Sequence, residues 1–500
     1  MLEIFPSKKY FIENARAGKI YPLYIKLPFI SPSQAFESVK TSKSVLLESI
    51  KGPDKIARYS FIASGPFMEF RVKDGSVNMS HNNKECVTSE APLKKLKELV
   101  QLYQTCPQKG IPPFVGGAVG IISYDFVHYF ERLPRTAVDD LDIPDAHFLL
   151  VDTVVAIDHK FQKTFLMSCP AAEEIVAGPE GQVKSWGAYY DNACEKINGL
   201  HEKISSVLHT TRTGITDFRT KKSKADIRIR HEMGKKDYMN IVKRAKEYIH
   251  AGDIFQANLS QRVSADIGNA PAWEIYKVLS RINPSPFAAY MNMGDYCIAS
   301  SSPERLVKVN STSVETRPIA GTRPRGKDVE GDRQMTTDLL LNEKERAEHL
   351  MLIDLERNDL GKISDYSSVK VDELMITEEY SHVIHIVSNV KGRIVQGKDC
   401  FDAIRATFPG GTITGVPKVR CMEIIDELEP AVRSPYTGSI GYISFTGAMD
   451  LNIIIRTFVI KDSTAYVQAG AGIVADSDPE KEYYETLKKA EALIKTLEEL

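Results

Sequence analysis

Apolar residues recur at steps of three and four over residues 92–103, 192–208, 236–251, 273–281, 342–355, 401–407 and 479–500, which predicts helices there. Short runs rich in β-branched and aromatic residues predict strands at 44–48, 58–62, 119–124 and 148–157, separated by turn signals such as KGPD, KDG and PPFVGG. Further strands are predicted at 306–309, 384–390, 439–445, 452–460 and 465–469. The polar stretch from about 209 to 236, with TTRTG and TKKSK, reads as a connection. The expected organisation is an N-terminal unit over 1–210, a linker over 211–235 and a catalytic unit over 236–500. The fold class is α+β, with extensive antiparallel sheet and helices laid outside it.

Composition narrows the function. The chain has 500 residues, 43% of them hydrophobic, and a net charge of -2 from 64 basic and 66 acidic residues. That balance argues against nucleic-acid and membrane-surface partners. The seven cysteines (86, 106, 169, 194, 297, 400 and 421) are scattered and form no C-x-x-C, as in a reducing compartment without a structural zinc. The first residues are too charged for a signal peptide and no run approaches the length of a membrane span, so a cytoplasmic protein is expected.

The chemistry concentrates in a few runs. FPGGTITGVPKVRCMEIIDEL, at 408–428, combines glycines, threonines and the cations Lys418 and Arg420 at a helix start, which suits a small polyanion. Its spacing is neither a Walker loop nor a dinucleotide fingerprint. On the helix at 342–355, Glu348 falls on a face shared with leucines, where a carboxylate needs an arginine partner or a cation. Glu480, Glu482 and Glu485 crowd the first turns of the C-terminal helix. Just before it, Gly470-Ala471-Gly472 leaves backbone bare at the end of a strand. Arg456 closes an apolar strand and suits carboxylate recognition. His382 and His385 stand at an odd offset, on opposite strand faces, so they are not a metal pair. A histidine facing a cleft is the natural proton carrier near neutral pH. No nucleophile elbow occurs. These features describe a Mg²⁺-assisted enzyme acting on a small polycarboxylate without a covalent nucleophile.

The runs GDIFQANLSQR, SSPERLVKV, ETRPIAGTRPRG, NEKERAEHLMLIDLERNDLG, YSHVIHIVSNV, FPGGTITGVPKVRCMEIIDELEP, PYTGSIGYISFTGAMDLNIIIRT and QAGAGIVADSDPEKEYYE resemble, in order, those of the chorismate-utilising family. Its members include anthranilate synthase large subunits and 4-amino-4-deoxychorismate synthases. The N-terminal half matches more thinly, through LLESIKGPDKIARYSFI. The resemblance implies a two-domain fold with a large antiparallel sandwich flanked by helices. It assigns Glu348 and Glu485 to Mg²⁺ and Gly321, Thr322, Tyr436, Arg456, Gly470, Ala471 and Gly472 to chorismate. His385, Gln256 and Thr412 fall at the reacting centre.

Within the family, water-adding members place a lysine base where this chain has Gln256. Many aminodeoxychorismate synthases place a nucleophilic lysine where it has Ala320. Both residues favour direct attack by ammonia, hence an anthranilate synthase large subunit fed by a glutamine amidotransferase subunit. GGTITGVPK and PYTGSIGYISF look more like aminodeoxychorismate synthases, the alternative. Anthranilate synthases resembling this chain bind L-tryptophan between the LLES serine and a proline-aromatic-methionine run. The matching residues are Ser49, Pro286, Phe287 and Ala288. With alanine in place of methionine, tryptophan is expected to bind weakly and Ala288→Met to tighten it.

Overall fold

The computed structural model describes residues 2–178, 184–213, 227–326, 328–379 and 383–500, without the side chains of 207–213 and of Thr322. His382 and most of the expected linker lie outside them. Among the described residues, two antiparallel sheets of twelve strands each form the body. Phe61 of one sheet meets Tyr442 of the other edge-on, with ring centroids 5.2 Å apart.

Both sheets draw strands from both sides of the expected linker. Ser44–Glu48 pairs with Phe287–Asn292 in the first sheet, and Gly117–Ile122 with Ser439–Ser444 in the second. The division at 211–235 is therefore not a division between sheets.

Alternate residues of the first sheet enter two cores. Ala289 and Met291 face the large core with the second sheet, while Ala288 and Tyr290 join an outer core with Trp273, Tyr276 and Leu493 beneath the helices. A sheet covered on both faces gives continuous apolar runs rather than alternation, as in Thr153–Asp158, where Val154 to Asp158 are all buried.

The expected helices form, among them Lys235–Ala251, Ala272–Ile282, Cys400–Thr407 and Pro479–Glu498. The helix expected at 342–355 runs over Glu343–Gly361, capped by the Asn342 side chain on the Glu345 N–H. A preceding helix, Val329–Leu341, and the long strand Gln256–Asp266 were not expected from the periodicity.

Two strands expected to be continuous are each split. Residues 148–157 divide into Ala146–Val151 of the second sheet and Thr153–Asp158 of the first, with Asp152 at the break. Residues 452–460 divide into Met449–Asn452 of the second sheet and Thr457–Lys461 of the first, and Arg456 lies in the break at φ 52°. Both halves of each run are apolar because both sheets are buried, so periodicity cannot reveal the corner.

Candidate active site

Two such corners build the centre of the site. The chain crosses between Cys297–Ser302 in the first sheet and Arg305–Asn310 in the second, leaving Glu304 in the gap. The other crossing carries Arg456. The flanking strands pair with each other, Ser300 with Thr457 and Arg305 with Asn452, so the corners lie side by side. The Ile453 N–H donates to the Glu304 carbonyl at 3.0 Å. Burial pushes the Glu304 carboxyl up to about 7, against the opposing pull of Thr412, the Ile319 N–H, Arg456 and Lys489. Sequence reasoning missed Glu304. Its signal was present in SSPERLVKV, a carboxylate set between two apolar strands.

His385 lies on Val383–Arg393 and is 3% exposed. Its Nδ1 sits 3.2 Å from the Gly321 carbonyl, which can only accept, so the proton belongs on Nδ1 and the lone pair on Nε2. Burial, then the Arg456 charge, lowers His385 to about 4. The ring is thus neutral near pH 7. It can take a proton there, whereas Glu304 is the group with one to give. Gly321 is held at φ 60° in a ladder irregularity between Ala320 and Thr322, and a Cβ there would meet Glu345 Oε2 at 2.4 Å. Thr322 pairs with His385 across the ladder; its side chain lies outside the described residues.

Gly470, Ala471 and Gly472 lie on Thr464–Ile473, paired with Ser260, Leu259 and Asn258. A Cβ on Gly472 would meet Gln256 Nε2 at 2.4 Å; one on Gly470 would meet Asn258 Oδ1 at 2.3 Å and the Tyr436 hydroxyl at 2.8 Å. These glycines let side chains from neighbouring elements lie flat on the strand. The glycine-rich loop serves close packing in the same way, since a Cβ on Gly411 would meet Leu355 at 2.1 Å. Its cations do not converge on an anion site. Lys418 pairs with Asp359 at 2.6 Å, and Arg420 with Glu423 at 2.8 Å and Asp253 at 3.0 Å. Within that loop, Thr412 opposes the rise of the Glu304 carboxyl, while its buried hydroxyl meets no hydrogen-bond partner among the described residues.

The carboxylates expected to hold a cation come from two helices. Glu348 is half-buried. Desolvation, then the charges of Glu345, Glu485 and Asp476, raises its carboxyl, with Lys344 opposing. The arginine of this region pairs elsewhere, Arg323 with Glu345 at 2.5 Å. Glu485 pairs with Lys489 at 2.9 Å, and Lys489 also donates to the Gly470 carbonyl at 2.9 Å. Among the described residues no three His, Cys, Asp or Glu side chains gather into a metal cage. Two hard carboxylates that feel each other's charge nonetheless fit Mg²⁺, which keeps water and substrate oxygens as its other ligands.

Ser49, Pro286, Phe287 and Ala288 all border one cavity of about 950 Å³, away from Glu304 and His385. The Ser49 hydroxyl lies 2.9 Å from the Tyr59 carbonyl and 3.2 Å from that of Pro286. The Ala288 methyl belongs to the outer core and the residue is 2% exposed. A methionine there would have to displace packed side chains rather than extend into the cavity, which replaces the expected gain from Ala288→Met.

Among the described residues no helix is long and apolar enough to cross a membrane. Residues 42–495 match the chorismate binding enzyme family. The chain is 42% identical over 472 residues to anthranilate synthase component 1 of Acetivibrio thermocellus, covering 94% of this chain and 92% of that one. It is 40% identical over 477 residues to aminodeoxychorismate synthase component 1 of Bacillus subtilis, covering 95% and 96%. The crystal structure of anthranilate synthase component I from Streptococcus pneumoniae aligns with a TM-score of 0.74 at 36% identity, over 93% of this chain and 97% of that one. The chain belongs to the chorismate-binding enzyme family.

Proposed function

We propose that the protein is the large subunit of a cytoplasmic anthranilate synthase. It converts chorismate and ammonia to anthranilate and pyruvate, with the ammonia supplied by a glutamine amidotransferase subunit. The supporting observation is similarity over almost the whole chain to anthranilate synthase component 1 from several organisms. Gln256 cannot deprotonate water and Ala320 cannot attack the ring, which leaves ammonia as the nucleophile.

The residues divide the work. Arg456 and Lys489 offer positive charge to a dianion, with Lys489 held on the Gly470 carbonyl. Glu348 and Glu485 would hold Mg²⁺, which when bound neutralises a substrate carboxylate and fixes its orientation. Departure of the ring hydroxyl as water needs a proton, and Glu304 holds one up to about pH 7. Neutral His385, with its lone pair on Nε2, can accept the proton lost when the aminated ring becomes aromatic. L-Tryptophan would occupy the Ser49 cavity.

A second reading, 4-amino-4-deoxychorismate synthase, is favoured by the 40% identity to the Bacillus subtilis enzyme and by GGTITGVPK. Incubation with chorismate, Mg²⁺ and ammonium separates them. Fluorescent anthranilate supports the first reading. A product that becomes 4-aminobenzoate only after a lyase is added supports the second.

A further inference from the structure

We propose that Asn258, together with Gln256, forms the seat that holds the nitrogen nucleophile. This inference rests on the chorismate-aminating function above.

The two residues lie two apart on Gln256–Asp266 and so share a face of that strand. Their side chains lean the same way. Gln256 lies over Gly472 and Asn258 over Gly470, each reaching within 2.4 Å of the point a Cβ would occupy. Only glycine at both places admits two amides here. The Asn258 N–H donates to the Thr414 carbonyl at 2.8 Å, which fixes the strand against the loop that carries Thr412.

Both amide oxygens, Gln256 Oε1 and Asn258 Oδ1, are buried and have no hydrogen-bond donor among the described residues. A buried acceptor left unpaired is costly, so two on one strand face point to a ligand that supplies donors. Chorismate offers few, since its carboxylates and ether oxygen accept and only its ring hydroxyl donates. Ammonia carries three N–H donors and one lone pair. Carbonyl oxygens that accept its hydrogens leave the lone pair to face the ring and form the C–N bond.

Steady-state kinetics on the full chain with ammonium as the nitrogen source tests this. Asn258→Leu keeps the size and removes the acceptor; it should raise the KM for ammonium about tenfold, with the chorismate KM and melting temperature unchanged. Asn258→Asp keeps an oxygen in place and should hold the ammonium KM within about twofold of wild type. An unchanged ammonium KM in Asn258→Leu overturns the proposal; a change confined to the chorismate KM overturns it and points to the ring hydroxyl as the donor. If Asn258→Leu does not fold, the aspartate variant decides, and a large rise in its ammonium KM overturns the proposal. Wild-type protein that consumes no chorismate with ammonium refutes the underlying function instead.

Discussion

Glu304 and Arg456 occupy neighbouring corners where the chain passes from one sheet to the other, joined by the Ile453 N–H bond to the Glu304 carbonyl at 3.0 Å. Placing an acid and a cation at paired crossings keeps both off the regular ladders while rigid strands on either side hold them. This relationship gives the first prediction. Activity should fall as pH rises through about 7, as Glu304 loses its proton. Glu304→Gln should abolish turnover while leaving chorismate binding detectable by calorimetry. Stability follows the same group. Its folded pKa is raised, so the contribution is complete below the ordinary carboxylate value of 4.5 and is lost as pH rises through about 7. Wild type should therefore lose roughly 1–3 kcal/mol more than Glu304→Gln between about pH 5 and pH 8 in urea titrations.

Arg456 holds a left-handed backbone at φ 52°, which costs a non-glycine residue roughly 1–2 kcal/mol. Arg456→Gly should match or exceed wild type in melting temperature yet lose chorismate turnover. A variant that unfolds, or one that retains activity, contradicts the functional reading of this corner.

Metal dependence is expected to rest on both Glu348 and Glu485. Glu348→Gln and Glu485→Gln should each abolish turnover with circular dichroism and melting unchanged, and each should weaken Mg²⁺ binding measured calorimetrically in the presence of chorismate. Full activity in excess EDTA would count against the assignment.

The chain alone should use ammonium and not glutamine. Glutamine hydrolysis needs a cysteine activated as its thiolate, but burial pushes the Cys400 and Cys421 thiols up to about 12 and raises that of Cys169 as well. Glutamine-dependent product from rigorously pure chain would contradict this.

Tryptophan should bind in the Ser49 cavity, and Ser49→Ala should weaken it several-fold by removing a hydroxyl that lies 3.2 Å from the Pro286 carbonyl. Ala288→Met should instead lower stability by about 1–3 kcal/mol, through overpacking of the outer core. Calorimetric titration of tryptophan and a melting curve check the two halves separately. No heat at millimolar tryptophan would remove the regulatory site and strengthen the aminodeoxychorismate alternative.

The amino-acid sequence by itself determined the helices and where most of them begin. Their apolar spacing and caps, such as Asn342 on Glu345 and Asp478 on Glu480, are local properties that survive without knowledge of the rest of the chain. It also determined the ordered motifs, and so the family. Only the tertiary structure decided where a buried apolar run changes sheets, because Met449–Asn452 and Thr457–Lys461 are both buried whichever core they face. It likewise decided which carboxylate meets a guanidinium (Glu345, through Arg323) and which is left to other charges (Glu348). Glu304 shows the limit most plainly. Its residue type and place were visible, but its raised pKa and its neighbours Arg456 and Lys489 arise from segments far apart in sequence, and burial cannot be read from a single strand's pattern.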